Sequence, residues 1–185
     1  MADLQPLSAA LEALLADVSA LSIESVSLEA AAGRVLAEAV TAQMDVPPFD
    51  NSAMDGYALR AADAGKWLPV SQRIAAGTTA QALAPGSCAR IFTGGEIPPG
   101  ANCVVMQERV EGDGERALIP EDIPAGDNVR SRGRDVRQGS VLLNFGERLE
   151  AAALGHLAGQ GITQVSVRRR PRVALLSTGD EIIDP

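Results

Sequence analysis

Histidine is almost missing from this sequence: one residue, His156, occurs in 185. Nucleophilic triads and histidine-held metals therefore have almost no material, and His156 itself falls between Leu154 and Leu157 in a helical pattern. Cysteine is scarce too. The two thiols, Cys88 and Cys103, are too few for a four-ligand metal set, and each stands in an apolar, strand-like context that suits a buried, reduced thiol. Positive charge is in deficit, with 16 Lys and Arg against 24 Asp and Glu and a net charge of -8. Nucleic acid and anionic membranes ask for the opposite balance, so neither is an expected partner. The local exception is Arg168, Arg169, Arg170 and Arg172 around Pro171, a solvated boundary or a phosphate contact. No apolar run approaches the ~20 residues of a membrane span. The opening Met1-Ala2-Asp3-Leu4 lacks the cationic start and apolar core of an export signal, so a cytoplasmic location is expected.

What is present is enough for a core: 46% hydrophobic and 22% charged residues suit one or two compact domains. Leu7, Leu11, Leu14, Leu15 and Val18 recur at helical spacing behind Pro6, with Ser8 as N-cap. This amphipathic stripe needs a partner. Residues 25–28 read as extended, and Gly33 is placed to end the turn 29–32. Residues 34–40 are a strand or a helical continuation, since periodicity does not separate the two.

Between Tyr57 and Gln138, short apolar runs broken by Gly and Pro have the spacing of a β barrel or sandwich. The strands expected there are 68–75, 87–92, 103–110 and 116–119, with 111–115 as a hairpin tip. Residues 141–143 make a further strand, 150–159 a helix turning Ala151, Leu154 and Ala158 inward, and 162–167 a last alternating strand. Val173-Ala174-Leu175-Leu176, followed by Ser177-Thr178-Gly179-Asp180-Glu181, reads as a buried parallel strand leading to a ligand edge. The sequence stops four residues later, so the expectation is the front part of a longer protein.

The densest polar stretch is Val46-Pro47-Pro48-Phe49-Asp50-Asn51-Ser52-Ala53-Met54-Asp55-Gly56-Tyr57. Prolines without donors, and side chains that compete for backbone groups, predict a loop rather than a regular element. Asp50, Asn51, Ser52 and Asp55 could converge on Mg²⁺ or a polar ligand, or could simply furnish a turn. Phe49 and Met54 are the expected apolar anchors.

Taken with Arg90-Ile91-Phe92-Thr93-Gly94-Gly95, Pro98-Pro99-Gly100-Ala101-Asn102-Cys103-Val104-Val105-Met106-Gln107-Glu108, Arg132-Gly133-Arg134-Asp135 and Ser177-Thr178-Gly179-Asp180-Glu181, this loop resembles the molybdopterin molybdenumtransferase family, the MoeA type related to the E domain of gephyrin. The resemblance runs over nearly the whole chain. It implies an α+β, mostly β fold: an elongated linker domain with an inserted β-barrel-like domain, plus the first strand of a truncated α/β domain. The implied boundaries are 1–20 for a helix packing on the truncated domain, 21–40 with 140–167 for the linker, 41–139 for the insert and 168–185 for the α/β start.

The activity implied is insertion of molybdenum from molybdate into adenylylated molybdopterin with release of AMP, with Mg²⁺ bridging negative charges. By the same resemblance Asp55, Thr93, Asp135 and Glu181 are the catalytic set, and Ser52, Gly94 and Gly95 contact the substrate. Thr93 would contact substrate beside glycines open to a phosphate on backbone N-H groups, or sit in a plain β-turn. Asp135, among Arg130, Arg132, Arg134 and Arg137, is a reactive carboxylate or the hub of structural ion pairs. The implied partners are a second copy in a homodimer, the molybdopterin adenylyltransferase and recipient molybdoenzymes. The chain alone is expected to be inactive. A competing reading is a non-catalytic dimerising or peptide-anchoring scaffold of the gephyrin kind; a weaker one is a generic sugar- or nucleotide-binding β domain.

Overall fold

The computed structural model describes residues 5–175 and Gly179. In chain order the described elements are α1 (Leu7–Ala16), β1 (Ile23–Ser27), β2 (Val40–Thr41), β3 (Asn51–Ser52), β4 (Gly56–Leu59), β5 (Trp67–Ile74), β6 (Cys88–Ile91) and β7 (Cys103–Met106). There follow β8 (Glu111–Gly112), β9 (Arg116–Leu118), β10 (Val129–Arg130), β11 (Val141–Leu143), α2 (Ala151–Gly159) and β12 (Gln164–Arg168). The protein is mostly β with few helices. It divides into two compact units, Met1–Thr41 with Val141–Pro185, and Ala42–Ser140.

The Ala42–Ser140 unit is organised by a sheet ordered β7-β4-β6-β5-β9-β8, whose hydrogen-bonded order does not close into a barrel among the described residues. Side-chain alternation gives it two apolar faces. Leu59, Cys88, Cys103 and Val105 pack on one face, while Ala58, Ala89, Ile91 and Val104 pack on the other. In β5 the register slips between Val70 and Gln72, which carries Ile74 to the face opposite Leu68 although both numbers are even. The β5-β6 pair is parallel, and the 75–87 connection supplies the dozen or so residues such a crossover needs.

In the other unit, β1 pairs antiparallel with β12 from Ile23↔Arg168 to Ser27↔Gln164. Val165 and Val167 join Ala31, Leu36, Leu149 and Leu157 in its core. Gly33, at φ +70°, ends the 29–32 turn, as its lack of a Cβ allows. Residues 34–40 are an irregular extended segment rather than a helix, tied by Leu36 N-H to Glu147 O at 2.9 Å and by bridges to Arg148 and Val167. Arg34, 8% exposed, is neutralised by Glu24 and donates through Nη2 to Arg168 O at 2.7 Å.

Several expectations are corrected. Helix α1 starts at Leu7 with Pro6 at its N-cap position, so Ser8 lies inside the first turn and makes no cap. The α1 stripe covers no core: Leu7, Leu11, Leu14 and Leu15 are all exposed. The 103–110 strand ends at Met106 because Gln107–Arg109 tighten into a 3-10 turn, and residues 111–112 are themselves a strand. In α2, Leu154 packs half-buried on the core as expected, but Leu157 is the buried residue, while Ala151 and Ala158 face solvent. Residues 173–175 form no strand, and Val173 and Leu175 are exposed, because no described strand lies beside them to complete a ladder. The expected α/β start therefore has no described element, and Leu176, Ser177, Thr178, Asp180 and Glu181 lie outside the described residues.

Candidate active site

The polar stretch 46–57 is not all loop. Asn51 and Ser52 form β3 against β10, in the register Val129↔Ser52 and Arg130↔Asn51, and Gly56 and Tyr57 open β4. Local competition from Asp, Asn and Ser side chains loses here because partners distant in sequence satisfy the backbone. Asp55 is left between the two strands. Its own carbonyl accepts from Gln107 N-H at 3.0 Å, which fixes the carboxylate at the rim of the sheet.

Thr93 meets it there. The Thr93 N-H and the Thr93 Oγ1 hydroxyl both donate to Asp55 Oδ1, each at 2.8 Å. The turn that aims Thr93 follows from its glycines. Gly95 N-H closes on Phe92 O at 2.8 Å, and Gly94 takes φ +80° at the third position, where a type II turn needs a residue without Cβ strain. A Cβ on Gly95 would meet Phe92 O at 2.9 Å and Ile74 O at 3.0 Å.

Ser52 locks this turn to the chain. Gly94 N-H donates to Ser52 O at 2.8 Å, and Ser52 N-H donates to Gly95 O at 2.9 Å. Ser52 is fully buried, with its Oγ hydroxyl donating to Met54 O at 2.5 Å. The N-H groups of Thr93, Gly94 and Gly95 are thus all spent inside the protein. The expected phosphate cradle of free backbone donors is corrected: Ser52, Gly94 and Gly95 are the frame that presents Thr93.

Arg90, on β6, is a residue that sequence reasoning quoted without giving it a role. Its Nη1 donates to Gly56 O at 2.8 Å and to Ile91 O at 2.7 Å, and its Nη2 reaches Gln107 Oε1. The guanidinium stacks 4.4 Å from the Phe92 ring centre and 5.4 Å from that of Tyr57, with Arg73 4.6 Å from Phe92. Alternation along β6, which leaves Arg90 between inward Ala89 and Ile91, is the signal that could have marked it. The Thr93 N-H first, then its hydroxyl, hold the Asp55 carboxyl below its ordinary value of 3.8, and the Arg90 charge adds to this.

Asp135 belongs to a second cluster. Its N-H donates to Val46 O at 2.9 Å, and it borders a cavity of about 400 Å³ with Pro47, Asn51, Arg130 and Arg134. The ion-pair hub expected of it is absent, since no described residue pairs with it. Arg132 goes elsewhere: its Nε contacts Asp45 Oδ2 at 2.5 Å and its N-H donates to Asp50 Oδ1 at 2.7 Å. Asp45 also accepts from Gln138 N-H at 2.8 Å, and that bond, with Arg132 second, lowers its pKa. Strand β3 links the two clusters, Ser52 facing the turn and Asn51 the cavity.

Asp50 accepts from Arg132 N-H, Asn51 borders the cavity, the Ser52 hydroxyl turns to Met54 O and Asp55 accepts from Thr93, so the four side chains have separate partners; Met54 is exposed rather than an anchor, whereas Phe49 is half-buried. Among the described residues no three His, Cys, Asp or Glu side chains are grouped to hold a metal ion. Mg²⁺ commonly takes one or two carboxylates and fills its shell with waters and substrate phosphates. Asp55, with one oxygen committed to Thr93, fits such a minimal role and no larger one.

A family profile described as the MoeA N-terminal region (domain I and II) matches residues 5–161. The chain belongs to the MoeA family. Among its relatives, proteins named molybdopterin molybdenumtransferase from Nostoc and from Haemophilus influenzae are 42% identical over 168 residues and 39% identical over 165 residues. These alignments cover 86% and 87% of this chain but 38% and 41% of those proteins, so the chain spans under half the length of these MoeA relatives. The crystal structure of a molybdopterin biosynthesis moeA protein from Pyrococcus horikoshii superposes with a TM-score of 0.83 at 37% identity, covering 91% of this chain and 47% of that one.

Proposed function

We propose that this chain supplies the Asp55–Thr93 part of a molybdopterin molybdenumtransferase, an enzyme that inserts molybdenum from molybdate into adenylylated molybdopterin and releases AMP. The single observation that carries the reading is the pair of 2.8 Å bonds from Thr93 to Asp55 Oδ1. They orient a carboxylate at the surface, commit one of its oxygens and lower its pKa. Thr93 fixes one Asp55 oxygen, which leaves the other to face substrate or a cation; Arg90 holds the Gly56 carbonyl beside it and supplies positive charge.

The chemical task is cleavage of a phosphoanhydride, with AMP as the leaving group, in the presence of an oxyanion. Mg²⁺, when bound, would neutralise charge on the phosphates. Asp55 is the residue here that would hold it, most of its other ligands coming from substrate and water. Arg130 and Arg134 at the Asp135 cavity suit the anionic parts of such a substrate. Glu181 remains in the proposed set through its motif. A homodimer, a cytoplasmic location, supply of substrate by the molybdopterin adenylyltransferase and delivery to molybdoenzymes complete the reading. No described helix is long and apolar enough to cross a membrane, and the exposed Leu7, Leu11, Leu14 and Leu15 of α1 offer a face for further protein contacts.

The test is molybdate-dependent release of AMP by a chimaera in which this chain replaces the matching part of the Haemophilus relative. Turnover that vanishes in Asp55→Asn and falls in Thr93→Val supports the enzyme reading; a folded but inert chimaera favours the scaffold reading instead.

A further inference from the structure

Tyr57 on β4, Arg90 on β6 and Arg73 on β5 form one row across the sheet. Tyr57 stands opposite Arg90 in the β4-β6 register, and Arg90 opposite Arg73 in the β5-β6 register. The bulge between Val70 and Gln72 is what brings Arg73 to this face. It sends Ile74 to the opposite core, so its neighbour Arg73 shares the face of Val70 and Tyr57, which pack on the cluster of Leu59, Leu68 and Cys88. Two like charges are thereby set opposite each other on adjacent strands, an arrangement that destabilises a sheet.

Stacking does not cancel this repulsion. Both guanidinium groups lie over the Phe92 ring, Arg73 at 4.6 Å and Arg90 at 4.4 Å. The two charges are therefore no more than ~9 Å apart, about one Debye length at physiological ionic strength. Arg90 donates to neutral acceptors, Gly56 O, Ile91 O and Gln107 Oε1, and feels the Asp55 carboxylate at longer range. Arg73 has less: among the described residues it forms no ion pair and donates no hydrogen bond. With Asp55 counted against Arg90, one negative charge is missing.

The surroundings say what brings it. Tyr57, Arg73 and Arg90 border a cavity of about 180 Å³ together with Val70 and Gly114. That is several times the ~30 Å³ share of one water in the liquid, so an apolar body fits behind the charge. Val70 and the Tyr57 ring give such a body something to touch. The guanidinium faces are taken up by stacking, and the remaining N-H groups lie on their edges, where they match the two coplanar oxygens of a carboxylate. A phosphate dianion would exceed the missing charge by one.

We propose that the cavity bounded by Tyr57, Val70, Arg73, Arg90 and Gly114 binds a carboxylate on a short aliphatic chain, its oxygens accepting from Arg73 and Arg90 and its chain lying against Val70 and the Tyr57 ring. The group arrives either as a free small acid or as the glutamate side chain of a partner. The inference stands on the sheet alone and holds whether or not the chain is part of an enzyme.

The experiment is a ¹H-¹⁵N titration of the 185-residue chain with butyrate, acetate, butyramide, inorganic phosphate and a glutamate blocked at both backbone ends. With butyrate, the amide signals of Tyr57, Arg73, Arg90 and Gly114 and the Nε-H signals of both arginines are expected to move and saturate, while the amides of Arg130 and Arg134 stay in place. Acetate, two methylenes shorter, should bind ~10-fold more weakly. Butyramide, of the same shape but uncharged, should lose at least ~10-fold, as should butyrate with Arg73→Gln, a change at an exposed position that leaves the fold intact. Saturation by the blocked glutamate at lower concentration than butyrate assigns the site to a protein side chain; the reverse order assigns it to a free acid. Unmoved signals at ~20 mM butyrate in the folded chain, a concentration at which even a millimolar site fills, would overturn the proposal. So would butyramide or phosphate binding as tightly as butyrate, or equal shifts at Arg130 and Arg134, which would mark general screening of positive charge.

Discussion

Gly56→Ala is the substitution that should couple fold and site most sharply. Gly56 lies in β4 between β6 and β7, opposite Ile91 on one side and Met106 on the other. A Cβ built there falls 1.9 Å from Val105 O and 2.8 Å from Val105 C, both backbone atoms of the adjacent strand. Since close C···O contacts run at about 3.3–3.6 Å, the strands must separate by more than ~1 Å. Forced separation of this kind costs ~1–3 kcal/mol through overpacking. Each ladder bond stretched beyond range removes a further ~0.5–1.5 kcal/mol, so a loss of at least ~3 kcal/mol is expected. Urea unfolding followed by Trp67, the single tryptophan and a β5 residue, reads this unit directly. With a slope of ~1–3 kcal/mol per M, the midpoint should fall by at least ~1 M. The same movement pulls Asp55 away from Thr93, so their amide signals should shift in native buffer. A midpoint within ~0.2 M of the parent, equivalent to well under 1 kcal/mol, would refute the reasoning, because no relaxation of side chains alone can clear a contact with backbone.

Two further outcomes follow from the ionisable groups. Because Thr93 holds the Asp55 carboxyl below 3.8, Asp55 contributes stability that is present above that value and lost as pH falls through its folded-state pKa. Thr93→Val keeps the N-H bond and removes the hydroxyl. The Asp55 carboxyl carbon should then titrate at higher pH by NMR, and the stability gap between variant and parent should close in acid; an unchanged titration would contradict the geometry. Burial pushes the Cys88 and Cys103 thiols up to about 11, with the Asp127 charge adding at Cys103. Neither should react with a thiol reagent at neutral pH until urea unfolds the chain, and prompt labelling of the native protein would contradict their placement.

Four strands of the sheet, β5, β6, β7 and β9, were legible, helped by side-chain alternation: Cys88 to Ile91 and Cys103 to Val105 send successive residues to opposite apolar faces, whereas β4 and β8 were not expected. Strand β3 was not, since two polar residues acquire strand geometry only from Val129 and Arg130, far along the chain. The face of α2 was misread at Ala151 and Ala158, though not at Leu154, for a related reason. With glycine and alanine at most of its positions, the pattern admits more than one stripe, and Leu157 decides the matter only once β1 and β12 are in place beneath it. For the site, the family resemblance brought forward Asp55 and Thr93, which do meet. It could not show that the glycine N-H groups are already spent, that Arg90 stacks on Phe92 beside them, or that the β5 bulge sets Arg73 opposite Arg90. Those are properties of partners brought together by the fold.

The most direct test of the central claim is the rate of molybdate-dependent AMP release by the chimaera carrying Asp55→Asn, compared with the unmodified chimaera at equal folded concentration. Asn keeps the shape of Asp55 and can still accept from Thr93, but it has no charge with which to hold a cation or manage a phosphate. The account predicts that release falls by at least ~10²-fold, the scale on which positioned acid-base or charge-stabilising groups act. Turnover retained within a factor of a few would contradict it and leave the Asp55–Thr93 pair as a structural clasp.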